Sequence, residues 1–326
     1  MKKRILYTMM CVLLAFAFSS CEQKDLCYHH PHTVTVKIEF DWKNAPEADP
    51  DGMCVFFYPS EGGNPQRFDF RGKTGGQIDI QVGTYRILCY NNDTGAILFR
   101  GTDRFDTHEG FTRKGDIFES IYGSLTSKAP QANDAKNEQT VICPDMMWGC
   151  NMSNLYILGE GNTETENTKQ VITLCPDEMI CTYTYEIRNI KNLEHVTQIC
   201  GSLSGMAPSM FFGIEELGKE CVTLPIEAVS DGVSTVTGKS HTFGHHPTNI
   251  TPHRMLLYIW MDDGKKYYYG SEGDKFDVTK QIDNAPDKHH VHIIIDGLDL
   301  PQPIEDDTGF NPSVDEWTDA EEDIII

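Results

Sequence analysis

The chain has 326 residues, 27 of them Lys or Arg and 49 Asp or Glu, for a formal net charge of −22. So acidic a surface repels phosphate backbones and anionic headgroups, which excludes a nucleic-acid-binding role. The length fits two domains better than one.

Lys2, Lys3 and Arg4 open the chain, an apolar run follows from Ile5 to Phe18, and Ser19-Ser20 lead into Cys21. This is the layout of a secretory signal, and the cysteine at the cleavage point makes it the bacterial lipoprotein type. The mature chain is therefore expected to begin at Cys21 and to carry acyl chains there, with residues 1–20 removed. Each buried CH₂ contributes about 0.8 kcal/mol and one chain holds only marginally, so two or three chains would anchor durably. No other stretch approaches the ~18 apolar residues of a spanning helix. Removing the signal takes away three basic residues and no acidic one, which moves the net charge from −22 to −25.

Thr33 to Asp41 alternates without a fault. Val34, Val36, Ile38 and Phe40 share one face, and Thr33, Thr35, Lys37, Glu39 and Asp41 the other. A period of two over this length predicts a half-buried strand. Further strands are expected at Met53–Tyr58, Arg67–Arg71, Gln77–Val82, Tyr85–Tyr90, Ala96–Arg100, Ile117–Tyr122 and Leu155–Leu158, separated by turn-forming residues such as Gly75-Gly76 and Asn91-Asn92-Asp93-Thr94-Gly95. The stretch near Phe111–Glu119 is also compatible with a short helix.

Gly159 to Lys169 is polar and marks a linker or long loop, so the expected division is 21–165 for an N-terminal domain and 166–326 for a C-terminal one. Beyond it strands are expected at Val171–Cys175, Met179–Ile190, Val196–Ile199, Cys221–Val229, Val233–Phe243, Arg254–Met261, Lys265–Tyr269 and His290–Asp296, with a short helix at Ile214–Gly218. No window sustains a 3.6 period. Short strands between turns suggest an all-β chain of two β-sandwiches. The end, Ile324-Ile325-Ile326, favours a final strand added to a sheet edge, in its own domain or on a partner.

Eleven cysteines suggest a framework, but their spacing argues otherwise. Setting aside Cys11 in the signal and Cys21 at the lipid site, nine remain, at 27, 54, 89, 143, 150, 175, 181, 200 and 221, with no C-x-x-C pair. Cys54 and Cys89 lie in apolar runs, where cysteine behaves as a small buried hydrophobe. Free buried thiols are expected, with one or two disulfides open in an oxidising compartment.

Histidines cluster at His29-His30-Pro31-His32, at His245, His246 and His253, and at His289-His290-Val291-His292. An H-x-H pair on a strand can chelate zinc, yet no third ligand or general base is spaced to complete a site, so no metal is expected. Nucleophile elbows, Walker sequences and dinucleotide fingerprints are absent. Gly201-Ser202-Leu203-Ser204-Gly205 reads as turn-rich, and Asp262-Asp263-Gly264 as a hairpin turn. No catalytic residue or cofactor is nominated, and the chain is not expected to be an enzyme. Tyr267-Tyr268-Tyr269 should turn at least one ring outward, which leaves room for a glycan-binding face.

These residues together resemble a known family. The lipoprotein cysteine is followed by Cys27-Tyr28-His29-His30-Pro31-His32, a strand ending Phe40-Asp41-Trp42, then Ala45-Pro46 and Gly52-Met53. Gly205-Met206-Ala207-Pro208 and Leu298-Asp299-Leu300-Pro301 come later. The mature chain is similar to the Bacteroidales-type lipoproteins related to fimbrial anchors and fimbrillins. The resemblance implies two tandem transthyretin-like (Greek-key) β-sandwich domains at the cell surface, lipid-anchored in the outer membrane. It implies subunit partners engaged by β-augmentation, a neighbour's strand filling a groove left when a protease cuts after an arginine beyond the first strand. Here no arginine lies between Cys21 and Arg67, although Lys37 and Lys43 leave a lysine-directed cut open. Val34, Val36, Ile38 and Phe40 would then fill their own groove, as suits an anchor or assembly component. A surface glycan-binding lipoprotein beside an outer-membrane transporter is the alternative.

Overall fold

The computed structural model describes residues 32–123, 128–159, 170–246, 251–303 and 317–320. Cys21, Cys27, His29, His30 and Ile324–Ile326 lie outside the described residues, as does the expected break at 165/166.

The first strands are β1 (Thr33–Phe40), β2 (Gly52–Pro59), β3 (Gln66–Arg71), β4 (Gly76–Gln81), β5 (Gly83–Asn91), β6 (Ile97–Arg100), β7 (Glu109–Thr112), β8 (Gln139–Thr140), β9 (Trp148–Ile157), β10 (Val171–Leu174) and β11 (Asp177–Glu178). A three-stranded sheet in the order β10-β1-β4 faces a five-stranded sheet in the order β11-β9-β5-β2-β3. The inward residues of β1 meet Met53, Val55 and Phe57 of β2 and Ile87 and Cys89 of β5 in one core. This is the first sandwich.

The later strands are β12 (Cys181–Lys191), β13 (Val196–Met206), β14 (Ser209–Phe211), β15 (Glu216–Leu217), β16 (Val222–Glu227), β17 (Val229–Ser230), β18 (Val236–Thr242), β19 (Met255–Met261), β20 (Lys266–Tyr269), β21 (His290–Asp299) and β22 (Thr318–Asp319). The sheet β17-β18-β12-β21 packs on the sheet β22-β20-β19-β13-β16-β8. Tyr183, Tyr185 and Ile187 alternate into this second core opposite Leu203, Leu257 and Ile259.

The two halves of the chain interlock. Strands β6 and β7 join β14 and β15 in a separate four-stranded sheet, and β8 crosses over to pair in parallel with β16. The small sheet covers the outer face of β2, where Cys54, Phe56 and Tyr58 pack with Tyr90, Phe105 and Phe212. Strand β2 is thereby buried on both faces, which is why its sequence is apolar throughout rather than alternating.

Strand pairing also moves the division between the sandwiches. Strand β10 pairs with β1 and β11 with β9, so the first sandwich runs to Glu178, beyond 165, and the second begins at Cys181. Composition could not show this, because the pairing of Val171–Leu174 with β1 and of Asp177–Glu178 with β9 is made across the sheets.

Ile117–Tyr122 is a helix, not a strand. The Asp116 carboxylate accepts from the N–H groups of Phe118 and Glu119, and Gly123 closes the helix in the left-handed region. Its Ile117 and Phe118 cover the outer face of the six-stranded sheet together with Ala129, Ala132 and Trp317. Ile214–Gly218 is not a helix. Glu215 has φ 55° and the chain turns there into β15. Gly201–Gly205 lies inside β13, which runs on to Met206 instead of stopping at Ile199. Ser202 there shares a hydrogen bond of 3.1 Å with the Tyr258 hydroxyl, and Ser204 donates to the Arg254 carbonyl.

Candidate functional site

Strand β1 is central in its sheet, antiparallel to β4 on one side and parallel to β10 on the other. Ile38 stands opposite Gly76 of β4 and Ile172 of β10. Val34, Val36, Ile38 and Phe40 are all buried, Ile38 completely. Fully burying such a side chain contributes roughly 1.5–3 kcal/mol. Phe40 meets the Phe70 ring edge-on at 5.7 Å, and the Trp42 indole N–H donates to the Lys73 carbonyl at 2.8 Å. The strand is also tied at both ends. The Val82 N–H donates to the His32 carbonyl at 2.7 Å, and the Asp41 N–H to the Leu174 carbonyl at 2.8 Å.

Turn geometry fixes the register. Gly75 has φ +80°, and a Cβ there would run into the Ile38 carbonyl. Only glycine lets β4 turn this closely against β1. The outer face of β1 is polar and self-paired: Thr35 donates to Asp79 at 2.6 Å, and Lys37 meets Glu39 at 2.6 Å.

Of the two lysines that leave a cut open, Lys37 has its N–H bonded to the Gln170 carbonyl at 2.9 Å, inside the sheet. Lys43 lies in the turn after β1 and is exposed.

At the other end of the chain, β22 adds in parallel to β20, with Tyr267 opposite Thr318. Trp317 stacks on Phe118 at 5.2 Å and meets Trp260 at 4.8 Å. Thr318 and Asp319 thus lie at an edge of the second sandwich. None of the three tyrosines 267–269 turns a ring fully outward: Tyr269 is buried, Tyr267 packs on the second core, and Tyr268 packs on the opposite face. The outer face of that sheet is covered, so alternation alone could not expose a ring.

The described histidines of the two later clusters are held by local partners. His290 is 3.0 Å from both Glu178 and Asp287, while His292 meets the Thr184 hydroxyl at 2.9 Å. Among the described residues no group of three His, Cys, Asp or Glu could hold an ion. His245 is hydrogen-bonded to the Tyr183 hydroxyl at 2.6 Å. Burial, with His253 beside it, pushes His245 down to about 4.

A buried histidine that the sequence did not single out is better placed. His108 is bracketed by two phenols, Tyr58 at 2.6 Å on Nδ1 and Tyr90 at 2.9 Å on Nε2. Burial pushes it down to about 4, so it is neutral, donating through one nitrogen and accepting through the other. It pins the small sheet to the first sandwich. Its partners lie 50 and 18 residues away, and no local pattern marks it.

The family model described as "Domain of unknown function (DUF5119)" matches residues 20–227. The chain is 24% identical over 197 residues to the protein named "Putative fimbrium anchoring subunit Fim4B" of Bacteroides ovatus, a match that covers 60% of this chain and 52% of that one. It thus spans about half the length of that relative. Among solved structures it is similar to "a putative adhesin" from Bacteroides ovatus, with TM-score 0.58 and 20% identity over 87% of this chain and 99% of the other. It is also similar to "putative polysaccharide binding proteins (DUF1812)" from Bacteroides thetaiotaomicron, with TM-score 0.50 and 9% identity over 80% and 90%. At these identities the likeness is one of fold.

Proposed function

The chain belongs to the DUF5119 family, and from that premise we propose that it is a non-catalytic surface lipoprotein serving as a fimbrial anchor or assembly component. Cys21 carries the lipid that holds it to the outer membrane, and its contacts with fimbrial subunits are made through strands. The name carried by the Fim4B relative supports this reading, and so does the fold.

The observation that carries it is the filled groove. Val34, Val36, Ile38 and Phe40 already occupy the cleft between β4 and β10. A subunit that polymerises by strand exchange must give up such a strand, whereas an anchor keeps it. The groove residues are then this chain's own, and a partner's strand is received at an edge. Ile324, Ile325 and Ile326 are candidates for such an edge contact.

The test is the mature N-terminus of the protein isolated from its native membrane, read by mass spectrometry. An acylated Cys21 still joined to β1 is the expected result. A terminus shortly after Lys43 would remove the anchor reading. Co-purification in mild detergent addresses the partner: fimbrial subunits are expected, and a transporter with a polysaccharide-processing enzyme would favour glycan capture instead.

A further inference from the structure

Cys89 on β5 and Cys150 on β9 stand directly opposite each other in the antiparallel register, and their sulfurs are 3.3 Å apart. Opposed residues of antiparallel strands have Cα atoms about 4.5–5.5 Å apart. That lies within the roughly 4.4–6.8 Å a disulfide spans. Closing a bond here brings the sulfurs from 3.3 Å to about 2.05 Å, a change on the scale of side-chain rotation.

The two thiols differ in access and in acidity. Cys89 is fully buried in the first core. Cys150 is half-buried and lines a cavity of about 460 Å³ with Gly149, Asp177, Glu178 and Met179. A hydrogen bond from the Cys89 thiol holds Cys150 below the ordinary thiol value, helped by the backbone N–H of Cys175. The same bond, together with burial, pushes Cys89 well above it. Elsewhere burial raises Cys54, Cys181 and Cys200 to about 12, which leaves them inert.

We propose that Cys89 and Cys150 are a redox-convertible pair that closes to a disulfide by exchange with an external disulfide of the glutathione or oxidoreductase class. The Cys150 thiolate attacks one sulfur of the external disulfide from the cavity. That S–S bond breaks, one external thiolate leaves, and a mixed disulfide forms on Cys150. The departing thiolate takes the Cys89 proton. Cys89 then attacks the Cys150 sulfur, and the second external thiolate leaves and is protonated by solvent. The two cysteines are oxidised and the external disulfide is reduced to two thiols. The proposal rests on the surface-lipoprotein reading only for the compartment in which the bond would form.

The experiment uses the full chain extracted in detergent from its native membrane and equilibrated in glutathione buffers from reducing to oxidising. Free thiols are then alkylated and the unreduced digest is mapped by mass spectrometry. A peptide pair joining Cys89 to Cys150 is expected to grow with oxidation while Cys54 and Cys200 stay alkylated. Cys89 and Cys150 alkylated at every poise, or Cys150 joined to Cys175, would overturn it. A Cys89→Ser chain is expected to accumulate glutathione on Cys150, and one that takes up none would overturn Cys150 as the attacker. Alkylation in intact cells separates the two readings. Thiols found there, with the pair closing in buffer, would count against export and leave the site standing.

Discussion

The side-chain amide of Gln281 meets the backbone of Ile294 twice: the Ile294 N–H donates to Oε1 at 2.8 Å, and Nε2 donates to the Ile294 carbonyl at 2.9 Å. Ile294 lies midway along β21, whose other side is paired in parallel to β12. The amide imitates one residue of a neighbouring strand and occupies the middle of a ten-residue edge. Such edges otherwise recruit other chains.

Gln281→Ala is therefore expected to leave the fold intact, to cost about 1 kcal/mol for the lost hydrogen bonds, and to promote association through β21. Light scattering across a concentration series checks this. A strictly monomeric variant would show that the amide does not guard the edge.

Ile38→Ala should cost about 2–5 kcal/mol, since the side chain is wholly buried in the groove. Lys37→Ala, on the polar outer face with an exposed partner, should stay within about 0.5 kcal/mol. Urea unfolding of both variants measures the contrast. Equal losses would mean that the groove is not what holds β1.

Gly75→Ala should be costly although it adds a single methyl group. The residue is in the left-handed region and its Cβ would collide with the Ile38 carbonyl. A loss of roughly 1–3 kcal/mol is expected, whereas Gly72→Ala, also at positive φ but with nothing within 4 Å of where its Cβ would sit, should lose less. Thermal unfolding of the pair tests the claim.

Acid should weaken the protein before its carboxylates titrate. His108 is neutral when folded, with a pKa pushed down to about 4, while an unfolded histidine takes a proton near 6.5. Stability is thus complete above about pH 6.5 and falls as the pH drops towards 4, by about 3 kcal/mol for a shift of this size. His108→Gln, which can still donate and accept between the two phenols, should flatten that slope. Denaturation midpoints between pH 7 and pH 4 provide the measurement, and an unchanged slope would assign the loss elsewhere.

How far the sequence could be read depended on whether a residue's partner was local. The alternation of Val34, Val36, Ile38 and Phe40 announces β1, its buried face and its ends, because a half-buried strand writes its burial into every second residue. The same logic misreads Ile117–Tyr122, where β-branched and aromatic residues look like a strand but Asp116 and Gly123 cap a helix. It also misreads Ser202 and Ser204, whose small polar side chains look like a turn until Tyr258 and the Arg254 carbonyl are seen across the sheet. Gln281 and Ile294, His108 and its two tyrosines, and Cys89 with Cys150 were all invisible for one reason. Each pair is made only when separate elements pack together, and nothing in either residue's neighbourhood records it.

The small sheet β6-β7-β14-β15 has a mechanical consequence. Its two middle strands come one from each half of the chain, with Ser209–Phe211 laid antiparallel on Glu109–Phe111. A load entering through the first sandwich and leaving through the second is therefore not carried by residues 179–180 alone, as a bead on a string would carry it. It is shared by a ladder of backbone hydrogen bonds that must rupture together before the halves can separate. Under tension the chain should yield as one body, at a force set by that ladder, rather than stretching first at a linker.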